Sequence, residues 1–321
     1  MSGSQIMIAP MPPSRFLAAS CLDWIAGDPH SMPHPVRLMG RAISTGERWL
    51  RRPDSPANEM LRGAALTGAV VGGSWVAAKV TVGAGGAAGE ILLAWTALAT
   101  RSLLDESSAV LDAVERGDLV LARSRLAMIV GRDTESLDEP EILRAVIETV
   151  AEGLCDGVVA PIVYLALGGV PLAFAYKAVN TLDSMIGHPE PPYRYFGSVA
   201  ARFDDLANFV PARLSALSIV AAAFVMRRHA RRSWFVFRRD GHLHASPNAG
   251  QTEAAMAGAL GVRLGGMNYY AGKPSPKPVL GGEGRCATPA DARAALRIAA
   301  VASLAVSTAA WLWLHWRRNR V

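Results

Sequence analysis

Cysteine is scarce. The 321 residues carry three, Cys21, Cys155 and Cys286, each isolated, with no C-x-x-C pair. Neither a disulfide framework nor a cysteine zinc site follows, and reducing surroundings suit the chain best. Charge is scarce too: Asp, Glu, Lys and Arg make up 19% of the residues against 51% hydrophobic, where a soluble domain carries about a quarter charged. No G-x-S-x-G, no Walker A sequence and no G-x-G-x-x-G after a strand is present, so nucleophile-elbow hydrolases and the common nucleotide-binding loops fall away. There is no internal repeat and no low-complexity tail. The start does not read as a signal peptide, because Pro10, Pro12 and Pro13 interrupt it and no basic residue precedes its apolar part.

What the chain has is long apolar runs. Residues 61–82, 87–104, 157–179, 210–226 and 295–314 approach the about 20 residues that a membrane span needs, and 13–27 is a weaker candidate. Arg51-Arg52, Arg227-Arg228, Arg231-Arg232 and Arg317-Arg318 sit beside these runs, as cytoplasmic flanks do, and Trp311, Trp313 and Trp316 read as an interfacial belt. The net charge of +6 therefore reads as membrane flanks, and no nucleic-acid partner is expected. The expected fold is all-α, a polytopic integral membrane protein with about four to six membrane-embedded helices plus amphipathic helices and a polar loop region. One domain is expected over residues 1–321, with 227–294 mostly outside the membrane. "GAGG" (Gly83 to Gly86) reads as the turn of a helical hairpin. Gly168 to Pro171 interrupts the run 157–179, so a re-entrant hairpin competes with a single crossing, and hydropathy does not decide between them.

Among the polar segments, residues 105–130 are amphipathic at helical spacing. A helix starts at Asp138 with Pro140 in its first turn, and "PNAGQTEAAMAGALG" reads as a cap and a small-residue helix. "GGMNYYAGKPSPKP" reads as loop, since Gly and Pro dominate it.

Several of these segments carry chemistry. Glu148, Glu152 and Asp156 are four apart and share a helix face. Three adjacent carboxylates repel, and Mg²⁺ would offset this; a solvated acidic face paired with arginines is the alternative. Lys177, Asn180 and Asp183 also share a face, directly beside an apolar run where polar groups are expensive. Asp204 and Asn208 are four apart, flanked by Arg202 and Arg213. The two clusters suggest a site for metal-bound phosphates, against a plain capping role for Asn and Asp. "GRDT" holds Arg132 in an anion-binding turn or a simple loop. Ser246 and Asn248, ahead of Gly250 and Glu253, resemble a loop-to-helix anion site. His242 and His244 read as exposed-loop histidines. Pro29, Pro33 and Pro35 keep His30 and His34 off one helix face, which argues against a helical two-histidine metal site.

Taken in order, "LDWIAGDPHSMPHPVRLMG", "RSLLDESSAVLDAVERGDLVLARSRLAMIVGRDTESLDEPEI", "ETVAEGLCDGVVAPIVYLALGGVP", "AYKAVNTLDSMIGH", "YRYFGSVAARFDDLANFVPARLSAL", "SPNAGQTEAAMAGALGVRLGG" and "NYYAGKP" resemble the adenosylcobinamide-phosphate synthases, the CobD/CbiB family of cobalamin biosynthesis. The resemblance runs from about residue 17 to residue 278. It implies a multi-pass enzyme of the cell inner membrane with its active site facing the cytoplasm. The reaction implied is an ATP-dependent ligation: (R)-1-amino-2-propanol or its O-phosphate is joined as an amide to a propionate of adenosylcobyric acid, giving adenosylcobinamide or its phosphate. ATP and Mg²⁺ are the implied cofactors; the partners are the two substrates, the lipid bilayer and an assembly with other cobalamin-pathway enzymes. Carried onto this chain, Lys177, Asp183, Arg202, Asp204 and Asp205 would be catalytic, and Glu148, Glu152 and Asp156 would face the metal. Substrate would meet Asp28, His34, Arg37, Arg132, Asp133, Asn180, Asn208 and Arg213, and further on Ser246, Asn248, Glu253, Asn268 and Tyr269.

The chain departs from the family pattern at Gly153, where Asn is usual, at Gln251 and Thr252 in place of Trp-Pro, and at Met267 in place of Pro. Two rival readings stand beside the ligase: an intramembrane transferase acting on a Mg²⁺-bound diphosphate, and a non-catalytic membrane sensor or scaffold.

Overall fold

Helix-forming apolar sequence gives a mostly helical chain. The structure, a computed structural model, describes residues 10–29 and 34–320. The readings made on the first nine residues, on His30 and on Pro33 lie outside the described residues. Three helical stretches, Pro56–Glu115, Glu139–Ile186 and Pro289–Arg318, are long and apolar enough to cross a membrane; Ser198–Ala207 with Phe209–Val225, bent by 47°, makes a fourth if taken as one span. The protein is an all-α polytopic membrane protein with one small hairpin.

The chain divides into two compact units. The first holds the residues up to Ala99, Ala160–Ala207 and those from Ser307 on. Its elements are α1 (Pro13–Ala26), α2 (Pro35–Leu50), α3 (Pro56–Ala97), α7 (Ala160–Ile186) and α8 (Ser198–Ala207). Pro opens α1, α2 and α3 at the first turn, where its missing N–H costs nothing. The helical backbone breaks at Gly86 in α3 and at Gly169 in α7, both with positive φ (55° and 69°), a conformation that Gly adopts without strain. These are the two places where the sequence put a turn or an interruption. Phe16, Ile43, Leu165, Leu182, Ile186 and Phe196 are buried in this unit, and Trp95 Nε1 donates to Gly27 O at 3.0 Å, tying α3 to the end of α1.

The second unit holds Thr100–Val159 and Asn208–Val306, so the whole 227–294 segment falls in it. Its elements are α4 (Thr100–Glu115), α5 (Leu119–Leu126), α6 (Glu139–Gly153), a π-helical turn (Leu154–Val159), α9 (Phe209–Val225), α10 (Ala230–Asp240) and α11 (Ala249–Leu260), then β1 (Leu264–Tyr270), β2 (Lys273–Leu280) and the start of α12 (Pro289–Arg318). The amphipathic stretch 105–130 is two helices, because Gly117 takes a φ of 75° and Asp118 caps α5 by accepting from Leu121 N–H. Asp138 and Glu141 form a reciprocal capping box at the start of α6. Every residue of α11 from Gly250 to Leu260 is buried. A Cβ at Gly258 would fall 2.6 Å from Arg232 O and 2.6 Å from Ser233 Cα, so only Gly lets α10 and α11 approach this closely.

The segment expected as loop is a β-hairpin. Its strands pair from Tyr270–Lys273 back to Leu264–Leu280, around a two-residue turn in which Ala271 and Gly272 both have positive φ. Pro274 and Pro276 oppose Tyr269 and Met267. They alternate with Lys273, Ser275 and Lys277, so the missing N–H groups point away from β1 and the pairing survives.

Candidate functional site

In the second unit, polar chemistry gathers around Glu148. It lies on α6 one turn after Arg144, and its carboxylate accepts from Arg144 Nη1 (3.3 Å), from Arg132 Nη2 and from the Gly265 N–H (2.8 Å). Asn268 Oδ1, on β1, accepts from Arg132 Nη1 (2.8 Å) and Arg144 Nη2 (3.1 Å). Arg144 also donates to Gly265 O (2.7 Å) and Met267 O (3.1 Å). The hairpin is therefore clamped to α6 by two nearly buried guanidinium groups. Burial alone would weaken the hold of Arg132 on its proton; the Glu148 carboxylate more than reverses this and keeps the guanidinium above its ordinary value.

Beside this clamp, Asp133 accepts from the N–H groups of Ala271 (3.0 Å) and Gly272 (2.7 Å), while its own N–H donates to Tyr269 O (2.8 Å). "GRDT" thus grips the hairpin turn. Arg132, Asp133, Thr134, Ser136 and Tyr269 line a cavity of about 530 Å³.

Glu253 on α11 is 1% exposed, and its Oε2 has no hydrogen-bond partner among the described residues. Burial first, then the charges of Glu148 and Glu152, raise its carboxyl well above the usual range. Asn268 Nδ2 is likewise without a partner there. His244 is not the exposed-loop histidine that the sequence suggests: it is half-buried, its Nδ1 accepts from Ser246 N–H (3.0 Å), and burial followed by the Lys277 charge lowers its pKa. Ser246 Oγ accepts from the N–H groups of Asn248 (3.3 Å) and Ala249 (3.2 Å), so the start of α11 is capped by its own serine. Arg213 lies over the Phe209 ring at 3.6 Å and donates to Phe209 O (2.7 Å) and Asn248 Oδ1 (3.4 Å). Asn208 is buried, with Cys155 Sγ 3.8 Å from its Oδ1, and it makes no side-chain cap to α9.

Among the described residues, no group of three or more His, Cys, Asp or Glu is arranged to hold a metal ion. Glu148 serves as an arginine anchor, while Glu152 is exposed and Asp156 half-buried in the π-helical turn. A Mg²⁺ that arrives on phosphates needs only one or two carboxylates from the protein.

In the first unit, α7 meets α8 through a side-chain bond, Asn180 Nδ2 to Asp204 Oδ1 at 3.3 Å. Both residues lie inside helices, so neither is the cap that was the plain alternative. Lys177 and Asp183 share the α7 face with Asn180 and, like it, are half-buried, as are Asp204 and Asp205; Arg202 is exposed. The hydroxyls of Thr181 and Ser184 turn back onto the carbonyls of Lys177 (2.6 Å) and Asn180 (2.9 Å). His34 caps α2 by accepting the Val36 N–H on Nδ1 (3.3 Å), which leaves Nε2 to carry the proton, 3.4 Å from Asp28 Oδ1. Arg37 lines a concave pocket on the far face of α2.

Sequence reasoning missed Arg144, Lys277 and the burial of His244. Arg144 had a signal, its i,i+4 spacing to Glu148 on one helix; the other two depend on the hairpin.

A family model described as CobD/Cbib protein matches residues 16–299. The chain is 49% identical over 272 residues to "Cobalamin biosynthesis protein CobD" of Geobacter metallireducens, covering 83% of this chain and 85% of that one. It is 43% identical over 300 residues to the protein of the same description in Yersinia enterocolitica, with 91% and 94% covered. With "Cobalamin biosynthesis protein CbiB" of Salmonella typhimurium it shares 43% over 291 residues, 88% and 91% of the two chains. No solved structure matches the chain.

Proposed function

The chain belongs to the CobD/CbiB family, and from that premise we propose that it acts in cobalamin biosynthesis by joining (R)-1-amino-2-propanol, or its O-phosphate, to a propionate carboxylate of adenosylcobyric acid. The product is adenosylcobinamide or its phosphate, and the bond is an amide made at the expense of ATP. The observation that carries this reading is the Asn180–Asp204 bond. It joins α8 to the face of α7 that also carries Lys177 and Asp183, at the polar end of an apolar helix, where charged groups usually serve a function.

Mg²⁺-ATP, when bound, supplies the phosphoryl group that turns the propionate into an acyl phosphate. Lys177 and Arg202 stabilise negative charge on the transferring group. Asp183, Asp204 and Asp205 would hold the Mg²⁺ that carries the phosphates. Asp28, 3.4 Å from His34 Nε2, would take the proton that keeps the attacking amine neutral, with His34 orienting its carboxylate. In the second unit, Arg132, Asp133, Asn268 and Tyr269 bind polar groups of the substrate at the hairpin, and Arg213, Asn208, Ser246, Asn248 and Glu253 do so around α11. The protein would sit in the inner membrane as a multi-pass enzyme with this chemistry on the cytoplasmic side, alongside other enzymes of the pathway.

The test is an assay on purified protein in detergent with adenosylcobyric acid, Mg²⁺-ATP and each amine in turn, read by mass spectrometry. An ATP-dependent mass gain equal to the condensed amide supports the ligase and identifies the amine. A folded protein that yields no product with either amine overturns it in favour of a transferase or a sensor.

A further inference from the structure

Helix α2 has two unlike faces. Leu38, Met39, Ala42, Gly46 and Leu50 line an apolar cavity of about 620 Å³ against α3 and Phe174. The opposite face carries Arg37, Arg41, Ser44, Thr45 and Arg48, which with Gly40 and Met185 line a concave pocket of about 550 Å³. Three guanidinium groups and two hydroxyls face this space, and no carboxylate is among its lining residues. The sole acid of α2, Glu47, is engaged elsewhere: its Oε1 accepts from Arg51 Nε (2.8 Å) and Tyr193 OH (2.9 Å).

Arg41 makes no ion pair among the described residues. Arg48 is held along the helix, Nε donating to Ser44 O and Nη2 to Thr45 Oγ1, both at 3.3 Å, so its planar fork is oriented before any ligand arrives. Guanidinium forks match phosphate and carboxylate geometry. A phosphomonoester offers three strong acceptors to these donors, and a phosphodiester headgroup offers two charged oxygens with ester oxygens beside them.

We propose that the basic face of α2 is a phosphoryl-binding pocket, with Arg41 and Arg48 as its anchoring residues. The ligand is a phosphate ester carrying at least one negative charge, drawn from the headgroup of an anionic phospholipid or from a soluble phosphomonoester. The pocket does not depend on the reaction proposed above, and its test does not use turnover.

The test compares wild type with the doubly substituted protein Arg41→Gln/Arg48→Gln in two arms. In the first, protein reconstituted in phosphatidylcholine nanodiscs with or without phosphatidylglycerol is examined by native mass spectrometry for retained lipid. In the second, protein in detergent is titrated with glycerol phosphate against chloride at matched ionic strength, read as a thermal shift. The wild type is expected to respond in at least one arm, and the double variant to lose that response at least tenfold. Phosphatidylglycerol retained by wild type only assigns the lipid source; a glycerol phosphate shift in wild type only assigns the soluble one. Arg41→Lys/Arg48→Lys keeps the charge without the fork and is expected to fall between; it also stands in should the Gln pair not fold. Responses equal in wild type and variants, or no response in either arm, overturn the pocket.

Discussion

Gly187 lies beneath Asp183: its N–H donates to the Asp183 carbonyl at 2.7 Å, and a Cβ at position 187 would fall 1.9 Å from Asp183 Oδ1. The carboxylate thus occupies the space that any side chain at 187 would need. Gly187→Ala is expected to displace the Asp183 carboxylate and lower turnover at least tenfold, as Asp183→Ala should, while membrane insertion is unaffected. Normal turnover in both variants would remove Asp183 from the active set.

Glu148 compensates two guanidinium groups whose side chains are 7% and 13% exposed. Removing one partner of a buried ion pair costs about 3–5 kcal/mol, because it strands the other charge. Glu148→Ala is therefore expected to lower the melting temperature markedly and to loosen the hairpin, seen as faster amide exchange in residues 264–280. A melting point equal to wild type would show that the clamp contributes little.

Glu253 makes a pH prediction of defined sign. Its folded pKa is raised, so folding favours the protonated form. Its contribution is fully present below the ordinary glutamate value of about 4.3 and is lost as pH rises through the raised folded value. Glu253→Gln removes that dependence. The variant is expected to gain on wild type in melting temperature as pH increases from about 5 to about 8, and parallel curves across that window would contradict a neutral buried carboxyl.

Gly153 replaces the asparagine usual in the family. A Cβ there would meet Leu103 Cδ1 at 2.7 Å, the end of a flexible side chain. Gly153→Asn is expected to cost at most about 1 kcal/mol, since Leu103 can turn aside and a non-glycine residue regains some helix propensity. A loss of several kcal/mol, measured by denaturant unfolding, would mean that Leu103 is pinned.

The apolar runs, the helix start at Asp138 and the breaks at Gly86 and Gly169 were all legible, because each rests on local sequence. The hairpin was not, since Pro274 and Pro276 read as loop until β1 shows which side of β2 needs its N–H groups. The Glu148 cluster was half legible. Spacing put three carboxylates on one face and left metal or arginine compensation open for Glu148; its arginines come from the "GRDT" loop 16 residues upstream and from one turn back on α6. The Arg144 pairing was readable from its spacing, whereas the Arg132 pairing across 16 residues is set by packing, which no local pattern encodes. Asn180 and Asp204 stood in two separate polar clusters of the sequence, and their bond to one another appears only once α8 is laid on α7.

The division into two units also bears on how the protein is made. The chain passes from one unit to the other after Ala99, Val159, Ala207 and Val306, so neither unit is a continuous stretch of polypeptide. A product truncated before Val306 leaves both units incomplete, and one truncated just after it leaves only the first unit without its last piece. During synthesis the first unit waits for the residues from Ser307 on before its last piece exists. Its early helices therefore stay partly unpartnered until the residues from Ser307 on have been made.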